Sequence, residues 1–194
     1  MNQNRQIIQE QDSYQSCQFQ SILLNFLNLQ QDELVEIKQE DKIISCPQYH
    51  AFFLIGESEI PKNQQSQIKI QLLKVGSIKF GLGDYKRFTE QNNWPDLQGN
   101  VHHGCYLIDE YGFVYEHGKE NKIYNLKDNN QKWNFQMCEN DQIVLKINQE
   151  RQTMTWKNCH KPEYIELNFD QKNLKLHPLI FLSGSSIKII NQRE

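Results

Sequence analysis

The chain has 194 residues, 38% of them hydrophobic, with 10 Phe, 8 Tyr, 3 Trp and a formal net charge of -3. That length and ring content support one domain with a real core. The slightly acidic balance excludes a general cationic field for nucleic acid.

The five cysteines, Cys17, Cys46, Cys105, Cys138 and Cys159, are odd in number and form no C-x-x-C pair. Reduced thiols in an intracellular, cytoplasmic setting fit this better than a disulfide framework. The opening MNQNRQIIQEQ has no apolar signal-peptide core. The longest apolar stretch, Ile22 to Leu29, is broken by Asn25 and Asn28 and falls short of the ~20 residues of a membrane helix.

Residues 1–13 are polar and are expected to be flexible. From Tyr14 onward, apolar residues recur at Phe19, Ile22, Leu23, Phe26, Leu27 and Leu29. Spacings of three and four predict an amphipathic helix over 14–30, with Ser13 as N-cap. Its apolar stripe packs either on its own domain or on a partner.

Beyond it the period switches from helical to alternating. Strands are expected at 34–37, 43–44 and 51–55, then at 68–72 and 78–82 on either side of Gly76. A long, weakly patterned loop follows from Asp84 to Asn100. Strands at 101–108 and 113–116 flank a turn in which Gly112 can supply a positive φ. Short strands follow near Ile123 and Ile165. Hairpins are expected around 148–151 and around the closing Ser183-Gly184-Ser185-Ser186. Many short strands without strand–helix alternation predict an all-β, antiparallel β-sandwich spanning 33–194.

Four segments in order resemble the SPRY domain and its larger B30.2 form. QIKIQLLKVGSIKFGLGD (67–84) is similar to that family's strand pair ending in a G-x-G. GCYLIDEYGFVYEHGKENKIY (104–124) is similar to its glycine-turned strand pair. ENDQIVLKINQERQTMTWKNC (139–159) resembles its G-D-x-I-G strand and the N-G turn that follows. LHPLIFLSGSSIKII (176–190) resembles its closing strands. The resemblance covers about 34–191. Asn140 and Cys159 stand where the family has glycine, Val144-Leu145 replaces its I-G pair, and Ile68-Lys69-Ile70 replaces its W-E-V strand.

The resemblance implies two bent sheets behind the N-terminal helix. It also implies a non-catalytic protein-interaction module that binds a peptide or protein surface through loops at one end of the sandwich. It places Tyr85, Lys86, Arg87 and Phe88, after the G-x-G, beside the closing turn Leu182, Ser183, Gly184 and Ser185, with His160 on the rim. Tyr, Trp and Arg are the types enriched in binding hot spots, which marks Tyr85, Arg87 and Trp94. Trp94 either anchors a partner or plugs the end of the core.

The residues themselves carry no catalytic motif; Gly81-Leu82-Gly83 is a lone G-x-G that more simply permits close strand packing. His102, His103 and Cys105, joined by Cys159 and His160, are zinc-type ligands without the paired spacing of a zinc site, so no metal or other cofactor is expected. Asp109, Glu110, Glu116 and Glu139 read as turn or solvated residues. About a fifth of the chain is Gln or Asn, a bias of the ciliate-protein kind. That supports the alternative role, a structural subunit of a cytoskeletal or ciliary assembly docked through the N-terminal helix.

Overall fold

The computed structural model describes residues 43–62, 65–90, 102–120, 135–170 and 174–190, and the backbone of short strands at 20–21, 26–28, 36–38 and 122–123. The first strands are β1 (Gln20–Ser21), β2 (Phe26–Asn28), β3 (Glu36–Lys38), β4 (Ile43–Ser45), β5 (Ala51–Gly56), β6 (Gln65–Lys74) and β7 (Ser77–Asp84). Helix α1 (Tyr85–Glu90) follows, then β8 (Cys105–Asp109), β9 (Phe113–Glu116), β10 (Lys122–Ile123), β11 (Gln142–Asn148), β12 (Thr153–Asn158), β13 (Tyr164–Asn168), β14 (Leu176–Ser183) and β15 (Ser186–Ile190).

Two sheets stack. One runs β13-β12-β11-β6-β15-β4-β3, with β1 also pairing β6; the other runs β10-β9-β8-β7-β14-β5-β2. Alternation decides which side chains meet between them. On β6 the inward set is Ser66, Ile68, Ile70 and Leu72, and on β12 it is Met154, Trp156 and Asn158. These meet Phe52, Leu54, Phe80, Leu82, Ile180 and Leu182 of the other sheet in the main core.

The 7-stranded sheet also buries its outer face. Phe53, Ile55, Leu107, Tyr115 and Leu179 form a second cluster there, closed at one end by Phe88 of α1. A strand covered on both faces needs apolar residues at consecutive positions, which is why β5 reads Phe52-Phe53-Leu54-Ile55 without alternation.

Three expectations are corrected. Within 14–30, the described residues are strands: β2 pairs antiparallel with β5, Leu27 opposite Ile55, and β1 pairs parallel with Ser66 and Gln67 of β6. The unpaired backbone along the free edge of β5 captures Phe26–Asn28 more effectively than local helical periodicity holds it. An assembly surface on a helix there has no support in the described residues. The rest of 14–30, with residues 1–13, lies outside them.

Next, the closing segment is not a hairpin. β14 pairs with β7 and β5, whereas β15 pairs with β6 and β4 in the other sheet. The loop at Asp84–Asn100 begins as α1, whose Tyr85 and Phe88 share one helix face three residues apart; residues 91–100, Trp94 included, lie outside the described residues. The hairpin β11–β12 is as expected, and Gly112 does take φ +83°. Asn140, in place of glycine, takes φ +68°, a conformation asparagine tolerates better than most residues.

Candidate protein-binding surface

Three chain crossings between the sheets gather at one end of the sandwich: β4 to β5, β6 to β7, and β14 to β15. Ser185 ties them together. Its Oγ accepts from Gly76 N and donates toward the carbonyls of Ser77 and Ser183, each at 3.0 Å. Its own carbonyl accepts from Cys46 N at 2.8 Å, and Gly184 N donates to Pro47 O. Gly76 is required here because a Cβ would stand 2.4 Å from Ser183 O.

The rim beside these crossings is also fastened. Asp141 Oδ2 accepts from Lys161 Nζ at 2.8 Å and from Cys138 N at 2.9 Å; Lys161 also donates to Gln136 O. Burial alone would raise the Asp141 carboxyl, but the Lys161, Cys138 and Asn158 hydrogen bonds outweigh it and hold the group below its ordinary range. His160 N donates to Asn158 Oδ1. A rigid frame of this kind loses little entropy on binding.

The opposite end is built around α1. Arg87 lies 3.5 Å from the buried Asp84 carboxylate and donates to His102 O. The Tyr85 ring lies 4.6 Å from that of His177. His177 Nδ1 is 2.7 Å from Gly56 O, and since a carbonyl only accepts, Nδ1 carries the proton. Cys105 N donates to His103 Nδ1 and Gly104 N to His117 Nδ1.

The predicted residues therefore do not form one surface. Ser77 pairs with Ser183 at the crossover end of β7–β14, and Asp84 pairs with Leu176 at the other. Seven residues at ~3.4 Å each separate Tyr85–Phe88 from the closing turn by about 24 Å. His160, Ser183 and Gly184 lie at the crossover end; Tyr85, Lys86 and Arg87 lie at the helix end. Phe88 packs against Phe53, Leu182 faces the core, and Ser185 is 1% exposed. Leu182 and Ser185 thus lie beneath the crossover end, whereas Phe88 packs beneath the helix end.

The zinc-type residues are likewise divided, with Cys159 and His160 at one end and His102, His103 and Cys105 at the other. Among the described residues no group of three or more His, Cys, Asp or Glu can hold a metal. The Nδ1 lone pairs of His103 and His117 are spent on backbone N–H groups, so each neutral ring keeps its proton on Nε2. Burial pushes the Cys105 thiol well above its ordinary range, so it is no ready nucleophile.

Three carboxylates read as solvated are in fact buried, because each answers a backbone or side-chain donor. Asp109 accepts from Tyr111 N, Phe113 N and Tyr115 Oη. Glu110 accepts from Ile78 N, and Glu116 pairs with Lys119.

His117 makes the helix end pH-sensitive. Burial, then Arg87 and His102, push its pKa below 6.5, against the opposing pull of Asp84 and Asp170. The neutral ring's contribution is complete above the unfolded value of about 6.5 and is lost as pH falls toward the lower folded value. The melting temperature should therefore fall further between about pH 7 and pH 5 in the parent than in His117→Gln, whose amide oxygen can still accept from Gly104 N. Equal falls would refute this.

The sequence reading missed the three most exposed large apolar side chains among the described residues: Tyr49 (94%), Tyr111 (63%) and Tyr164 (49%). All sit at the crossover end. Tyr49 is in the β4–β5 crossing, Tyr111 in the β8–β9 turn, and Tyr164 opens β13 opposite Lys157. Tyr49 also has φ +72° in a turn closed by His50 N to Pro47 O. Pro47 was the available signal, since proline followed within two residues by an aromatic in a short strand-to-strand connection places that ring on a turn.

Two solved structures share this architecture. The SPRY domain of human HERC1 is 14% identical, over a match covering 84% of this chain and 95% of that one, at a TM-score of 0.53. The PSpry domain of TRIM65 is 9% identical, covering 89% of this chain and 92% of that one, at a TM-score of 0.59. At such identities the likeness establishes the fold. No protein-family model and no curated protein matches the sequence.

Proposed function

We propose, with the SPRY fold of this chain as premise, that it is a non-catalytic protein-interaction module whose crossover end binds a peptide or protein surface. The observation that carries this reading is the placement of Tyr49, Tyr111 and Tyr164, all exposed and all at that end. Tyrosine is a hot-spot residue, because a rigid ring buries much area for two lost torsions. Tyr49 is the strongest case. A bulky residue in the left-handed region costs about 1 kcal/mol, and at 94% exposure no packing within the domain repays it. Strain kept for an exposed ring points to use of that ring. His160, Ser183 and Gly184 complete the surface, with Ser185 and Leu182 supporting it.

The test is capture of partners from the native cell on the immobilised full chain, followed by titration of a captured partner. Tyr49→Ala with Tyr111→Ala should weaken binding by about thirtyfold or more, with the melting temperature unchanged because neither ring packs in the core. Lys86→Ala, at the helix end, should bind as the parent does. Retained affinity in the tyrosine variant would exclude the crossover end.

A further inference from the structure

The outer face of the 8-stranded sheet carries a charge opposite in sign to the chain as a whole. Strict alternation turns Lys69 of β6, Lys146 of β11, Lys157 of β12 and Lys188 of β15 away from the core, because Ile68, Ile70, Leu145, Ile147, Trp156, Ile187 and Ile189 point into it. Among the residues of this face whose side chains are described, Glu166 of β13 is the single carboxylate, and it accepts from Thr155 Oγ1.

Register places these lysines together. Val144 lies directly between Lys69 and Lys157, one strand to either side. Ile190 continues the row beyond Lys69, and Tyr164 begins it beside Lys157. The row reads Tyr164, Lys157, Val144, Lys69, Ile190, so apolar and cationic side chains alternate across five strands. With strands ~4.8 Å apart, the two ammonium stems stand about 10 Å from each other. Lys146, two residues along from Val144, and Lys188, opposite Gln71, flank the row. Val144 faces outward yet is only 8% exposed, and lysine methylene stems are the flanking groups able to cover it while their ammonium groups reach water. No ion pair joins Lys69, Lys157 or Lys188 to a carboxylate among the described residues.

We propose that this face is a second docking surface, and that its occupant is an acidic peptide segment with apolar residues between its carboxylates. Charge complementarity supplies the sign, and the apolar positions of the row supply the interleaving. A single-stranded nucleic acid fits less well, since it needs aromatic platforms for its bases, and among the described residues the only aromatic side chain on this face is Tyr164 at the margin.

The experiment uses the full chain and a labelled peptide of repeating Glu-Glu-Leu units. A matched peptide with Gln for Glu and a single-stranded oligonucleotide are the other two arms. The acidic peptide should bind at about 50 mM salt and weaken by about tenfold or more at about 0.5 M, as exposed ion pairs are screened. Combining Lys69→Gln, Lys157→Gln and Lys188→Gln should weaken it by about tenfold or more with the melting temperature unchanged. Lys157→Glu, at the most exposed of the three, carries the same test if the triple variant fails to fold. Tyr49→Ala should have no effect, so this surface stands or falls separately from the crossover end. Equal binding of the Gln peptide, tighter binding of the oligonucleotide, or unchanged affinity in the lysine variants overturns the proposal.

Discussion

Trp156→Ala is expected to cost about 3–5 kcal/mol, enough to unfold much of the population of a domain with ordinary stability. Trp156 is completely buried, and its Nε1–H donates to Phe80 O at 2.9 Å. It stands on β12 of one sheet and bonds to β7 of the other, so one side chain fills the core and pins the layers in register. Trp156→Phe should keep part of the volume and lose the hydrogen bond, leaving Phe80 O one donor short, at about 1–3 kcal/mol. Urea unfolding followed by circular dichroism reads both. A cost below about 1 kcal/mol for the alanine variant would refute this account of how the layers are held.

Gly81→Ala is expected to be as damaging through the opposite fault. A Cβ at Gly81 would stand 2.0 Å from Tyr106 O, 3.0 Å from its carbonyl carbon and 3.1 Å from Leu107 Cα. All three are backbone atoms of β8, so no rotamer change relieves the clash. The β7–β8 pair would have to part, at about 3 kcal/mol or more. Gly118→Ala is the control. No atom lies within 4 Å of its added Cβ, and only the φ of +79° opposes the change, so its cost should be about 1–2 kcal/mol. If the two variants melt alike, close strand approach is not the reason for Gly81.

The split of the expected binding surface has a definite cause. The resemblance put Tyr85–Phe88 and the closing turn side by side because it implies one binding surface built from the segment after the G-x-G and the last turn. Strand direction decides otherwise: β7 and β14 run antiparallel over their whole length, so the end of one is the start of the other. Helix α1 escaped notice because a six-residue helix is too short to show a 3.6-residue period. Tyr49 escaped because exposure is a property of what surrounds a residue in space.

The sequence by itself determined what repeats locally. Alternation at 68–72, 78–82 and 165–169 prescribes strands whose inward residues make the core, and Gly112 prescribes its turn. The tertiary structure alone decided which sheet each strand joins, which end each crossing occupies, and that the 14–30 segment contributes strands. Those choices depend on unpaired backbone edges and covered faces supplied by residues far along the chain. A local period of two states that a strand has two faces and leaves both its neighbours and its coverage open.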